Sequence, residues 1–92
     1  MSNDYKMMLN ELYAALLKLE TVEECESFLS DLCTIKELQS MGQRLKAAKM
    51  LLDGKTYNEV IEETDISSAT LARVSKCVRY GPGGYESIIK KN

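Results

Sequence analysis

Three stretches of this chain read Thr-x-x-Glu: Thr21-Val-Glu-Glu24, Thr34-Ile-Lys-Glu37 and Thr56-Tyr-Asn-Glu59. Each precedes a run of apolar residues at helical spacing. The pattern is a capping box: the threonine hydroxyl takes the N–H of the third helical residue, and the glutamate there reaches back to the cap. The same residues rarely suit a strand. Before the Gly81-Pro82-Gly83-Gly84 cluster there is no proline, and only Gly42 and Gly54 interrupt the chain. The expectation is an all-α domain of about six helices with short connections.

The spacing places a first helix over about residues 3–19, with Tyr5, Met8, Leu9, Leu12, Leu16 and Leu19 on one stripe. A second runs to about Leu32 and buries Val22, Cys25, Phe28, Leu29 and Leu32. A third runs to about Asp53 and stops at Gly54. Its apolar residues include Ile35, Leu38, Met41, Leu45, Ala48, Leu51 and Leu52, with Ala47 and Met50 beside them. That arc is wider than one core face needs, which points to burial on more than one side and so to a homodimer. A short last helix is expected over about Tyr85 to Lys90.

The stretch Thr56 to Arg79 reads as two short helices around a tight turn at Thr64-Asp65-Ile66-Ser67, the outline of a helix-turn-helix. Asp65 stands where a left-handed backbone is needed, and Ser67 is placed to cap the second helix. Val60, Ile61, Ile66, Leu71, Val74 and Val78 face inward, with Cys77 or Ser75 beside them. Ser68, Ala69, Thr70, Arg73 and Lys76 face outward. Small residues at the start of such a helix let its backbone approach a DNA groove, and Arg73, Lys76 and Arg79 follow as phosphate partners, or a guanine partner for Arg73.

Charge agrees with that division of labour. The net charge is -2. Residues 1–34 carry two cations and seven anions, a net of -5, and residues 35–92 carry ten cations and seven anions, a net of +3. An acidic scaffold beside a DNA-facing head has this asymmetry. No apolar run nears the ~20 residues that span a bilayer, and the start lacks a signal peptide's basic and apolar regions. The expectation is a cytoplasmic protein with no membrane partner. Cys25, Cys33 and Cys77 form no CxxC and the chain has no His, which disfavours a zinc site. They read as small, buried, reduced side chains. No phosphate loop and no nucleophile paired with a base suggest an enzyme.

The segments DLCTIKELQSMGQRL, LLDGKTY, SSATLARV and CVRYGPGGYE together resemble the Trp repressor superfamily, and most of all its YerC/YecD group. The resemblance covers about residues 22–86. It implies an intertwined, all-helical homodimer: a single domain over 1–92, with residues 1–53 as dimerisation core, 56–80 as helix-turn-helix and 84–91 as a short C-terminal helix. Two heads so related would read a palindromic operator with half-sites ~34 Å apart. The implied function is a sequence-specific transcriptional regulator, expected to be a repressor. The alternative is a protein-interaction module that keeps the fold without reading DNA.

The implied DNA contacts are Asn58, Ser67, Ser68, Ala69, Thr70, Arg73, Lys76 and Arg79. In the Trp repressor the tryptophan co-repressor is held at positions that match Thr34, Arg44 and Arg73. Val74 stands where that protein has a glycine against the ligand, and Cys77 where it has a serine. Both changes argue against L-tryptophan, so no cofactor is expected, and an unknown small-molecule effector stays open.

Overall fold

The computed structural model describes residues 3–92. Its helices are α1 (Asn3–Leu16), α2 (Val22–Leu32), α3 (Ile35–Leu52), α4 (Tyr57–Thr64), α5 (Ser68–Tyr80) and α6 (Gly84–Ile89), and no strand occurs among the described residues. The chain divides into two compact units, Met1–Thr34 and Ile35–Asn92. No helix among the described residues is long and apolar enough to cross a membrane.

In the first unit α1 stops three residues earlier than its stripe predicts. The amides of Lys18 and Leu19 bond to the carbonyls of Ala15 and Leu16, so the end tightens into three-residue turns instead of continuing. Thr21 caps α2, its hydroxyl accepting the Glu24 amide at 3.0 Å. Glu24 reaches back one residue further than the box pattern requires, to the Glu20 amide at 2.8 Å. Neither helix holds a buried residue. Leu9, Leu12, Leu19, Cys25, Phe28 and Leu29 are half-buried, but Tyr5, Met8, Leu16, Val22 and Leu32 are exposed. The core expected for these two helices is therefore not closed within one chain: two short amphipathic helices cannot cover each other's apolar faces.

The second unit has a closed core of Ala47, Ala48, Val60, Ile66, Leu71 and Val74. The four larger side chains contribute about 2 kcal/mol each by leaving water. From α3 the core takes two alanines, so α3 can lie close to its neighbours α4, α5 and α6. The end of α3 is a Schellman motif. Gly54 adopts φ 84°, its amide bonds to the Leu51 carbonyl at 3.1 Å, and the Lys55 amide bonds to the Met50 carbonyl at 3.0 Å. The rest of the wide arc stays open. Ile35 is 76% exposed, and Met41 and Leu45 are exposed too.

Candidate nucleic-acid interface

The start of α4 is a complete capping box. The Thr56 hydroxyl accepts the Glu59 amide at 3.2 Å, and the Glu59 carboxylate accepts the Thr56 amide at 3.2 Å and its hydroxyl at 3.0 Å. The Thr56 backbone bond, then its hydroxyl, and more weakly Lys55 hold the Glu59 carboxyl below the usual carboxylate range. The turn that follows leads α4 into α5. Asp65 takes the left-handed conformation (φ 60°, ψ 21°) and its amide bonds to the Ile61 carbonyl at 2.8 Å. The Thr64 hydroxyl donates to the Val60 carbonyl at 2.7 Å and accepts the Ile66 amide at 3.2 Å. Ile66 drops into the core, 2% exposed.

This turn is tied to α3 by a residue that spacing alone did not single out. Gln43 Nε2 donates to the Thr64 carbonyl at 2.9 Å in a half-buried setting. Gln43 lies one turn before Ala47, so the helical period puts it on the same face; nothing in the sequence shows that its acceptor is a carbonyl in the turn.

Ser67 caps α5, accepting the Thr70 amide at 3.1 Å and donating its own proton to the Thr70 hydroxyl at 2.9 Å. Thr70 is half-buried, and its hydroxyl keeps its proton for an outside acceptor. Ser68, Ala69, Arg73, Lys76 and Arg79 are exposed along the helix, and Asn58 is exposed at the second position of α4. Leu71, Val74 and Ser75 form the buried face. Cys77 is exposed, contrary to its expected inward place, because Ser75 takes the buried position; Cys25 and Cys33 are half-buried.

The first turns of α2, α3 and α4 carry Glu23 and Glu24, Glu37, and Glu59; the first turn of α5 carries no acid. The partial positive charge at a helix start is neutralised in the first three and left open in α5. An open, capped, positive helix end with exposed small residues and three exposed cations behind it suits a polyanion.

The three residues matched to a co-repressor site fall in both units, Thr34 in the first and Arg44 and Arg73 in the second. Thr34 is exposed and closes the first unit. Arg44 is half-buried on α3, its Nε donating to the Ser40 carbonyl at 3.3 Å, and it lines a depression with Lys36, Ser40 and Met41 whose wall lacks Arg73.

Residues 7–92 match the family model of the Trp repressor protein. Over 83 residues the chain is 45% identical to the uncharacterized protein YerC of Bacillus subtilis (strain 168), across 90% of this chain and 80% of YerC. A crystal structure of a candidate Trp repressor from Staphylococcus aureus aligns at TM-score 0.89 and 39% identity, over 99% of this chain and 94% of that one. A TrpR-like protein from Eubacterium eligens ATCC 27750 aligns at TM-score 0.90 and 36% identity, over 98% and 94%.

Proposed function

The chain belongs to the Trp repressor family, in its YerC-like group, and from that membership we propose that it is a dimeric, sequence-specific DNA-binding regulator, acting as a repressor, and not an enzyme. The observation that carries this reading is the start of α5. Its capped end has no acid to neutralise it, and Ser68 and Ala69 leave the backbone free to enter a major groove. Arg73, Lys76 and Arg79 then meet phosphates or, for Arg73, a guanine edge. Asn58 supplies a contact from α4, and Ser67 and Thr70 complete the set.

The uncovered apolar residues of α3, and those of α1 and α2, support a second copy as their cover. The first three helices would interlock as the dimerisation core over residues 1–53, with residues 56–80 as the reading head and 84–91 closing the chain. A two-fold pair of heads would read a palindrome with half-sites about one turn of DNA apart. Within that frame Thr34, Arg44 and Arg73 would line an effector site. Val74 is buried and cannot yield the space a glycine would leave, which disfavours L-tryptophan there.

Selection from a randomised duplex library at two salt concentrations tests the reading. An enriched palindrome is expected, and Arg73→Ala is expected to weaken binding and lower the salt slope by about one. Recovery of no preferred sequence, or an Arg73→Ala variant that binds as well as the parent, would overturn it. The acidic first third favours one rival, a protein-interaction module; a partner recovered from lysate after nuclease treatment would point that way.

A further inference from the structure

Between the end of α3, the start of α4 and the second half of α5 lies a cavity of about 390 Å³. Lys55, Thr56, Tyr57, Ser75 and Arg79 give it a polar wall, and no Asp or Glu lines it. Ser75 is 4% exposed, the one buried polar side chain among the described residues. Its hydroxyl has no hydrogen-bond partner among them, and every fully enclosed side-chain polar atom among them is bonded, so this hydroxyl opens on the cavity. The fold gains little from that oxygen, since alanine is the better helix former at this position.

The same cavity adjoins the start of α4. The first amides of a helix have no acceptor within it, and the Thr56 hydroxyl serves only that of Glu59. The amides of Tyr57 and Asn58 remain. Glu59, which follows Asn58, is turned onto Thr56 and lines a neighbouring cavity with Asp53, Glu62, Glu63 and two lysines, Lys46 and the shared Lys55. Lys55 borders both cavities; the acids line only the other one, which Lys46 shares, and the cavity around Ser75 holds Lys55 and Arg79 with no acid.

We propose that this cavity is a binding site for a phosphate group. Lys55 and Arg79 supply the charge; the Ser75 hydroxyl and the first amides of α4, whose helix-end charge Glu59 already offsets, supply hydrogen bonds only. A phosphate fits better than a carboxylate because its oxygens can meet two cations and several donors at once. The group is either a backbone phosphate of nucleic acid or a free phosphate. The assignment rests on the geometry of this cavity and holds whether or not α5 reads DNA.

The test is titration of the full, isotope-labelled chain with inorganic phosphate, set against sodium chloride of equal ionic strength, following backbone amide resonances. Saturable shifts are expected at Tyr57, Asn58 and Ser75. Ser75→Ala, which keeps the helix, is expected to bind about tenfold more weakly, since a bond to a charged group is lost. Lys49→Ala, at an exposed position outside the cavity wall, is expected to bind as the parent does. Absence of saturable shifts at those amides, or equal binding by Ser75→Ala, would overturn the site. Added short duplex DNA then tells the two sources apart. Displacement of phosphate from the cavity assigns the site to the DNA backbone; retained phosphate assigns it to a free anion, and either result supports the site.

Discussion

Replacing Gln43 by glutamate keeps the side chain's shape and removes its donor. In the parent, Nε2 donates to the Thr64 carbonyl at 2.9 Å across a half-buried contact between α3 and the turn. In Gln43→Glu a carboxylate oxygen faces that carbonyl at neutral pH. The lost hydrogen bond costs about 1 kcal/mol, and two acceptors held together in a half-buried site add roughly the same. Lys46, one turn on, returns a few tenths. The net expectation is about 2 kcal/mol, which lowers the melting temperature by roughly 10 °C in a domain this size. Gln43→Ala should cost about 1 kcal/mol, since water can reach the freed carbonyl. Facing a carbonyl favours the protonated acid, so the folded-state pKa of Glu at position 43 rises above its ordinary ~4.3. The penalty is then full above that raised value, fades as pH falls from it toward the ordinary one, and is gone below that, where a protonated carboxyl can donate. Thermal melts of the three proteins at one protein concentration, from neutral to acid pH, check this. If glutamate and alanine melt together at neutral pH, and the gap between glutamate and the parent stays constant into acid, the bond does not hold the turn.

Three further outcomes are expected. Thr56→Ala should cost about 1 kcal/mol and release the Glu59 carboxyl toward the usual range in an NMR titration. Because the folded-state pKa of Glu59 is lowered, its contribution is complete above the ordinary carboxylate range and is lost as pH falls through the lowered value. Gly81→Ala should destabilise by about 1–3 kcal/mol on thermal melting, because a Cβ there would press on the Cys77 carbonyl oxygen at the end of α5. Gly42→Ala meets nothing within 4 Å in the single chain, so propensity alone would stabilise α3 by about 0.5–1 kcal/mol. If a second copy covers that face, the variant should instead dissociate at higher protein concentration, which analytical ultracentrifugation reads.

Boundaries were the most legible part of this chain. Thr21, Thr56 and Ser67 cap the helices they were expected to cap, and Gly54 and Asp65 take the left-handed conformations their places require. Local chemistry decides these points, so a local reading finds them. Burial was less legible. The apolar stripe of α1 predicts a buried face, yet burial depends on what lies opposite, and one chain supplies too little to cover it. Cys77 and Ser75 show the same limit at one position. Both flank the inner face of α5, and hydropathy favours burying the thiol, but the packing of α3 and α4 against α5 encloses Ser75. The Gln43 bond and the cavity around Ser75 join residues distant in sequence, and no spacing rule connects them.

Ile66 lies outside any helix, and a loop amide would ordinarily exchange its proton with solvent quickly. Here it is held by the Thr64 hydroxyl, which itself grips the last turn of α4, while its side chain is sealed in the core. Its amide can therefore open only when α4 and the core open with it, and its hydrogen exchange should be as slow as that of Leu71. The two helices then behave as one cooperative unit with no hinge between them. Any signal that repositions α5 must move α4 as well, by rocking the pair against α3.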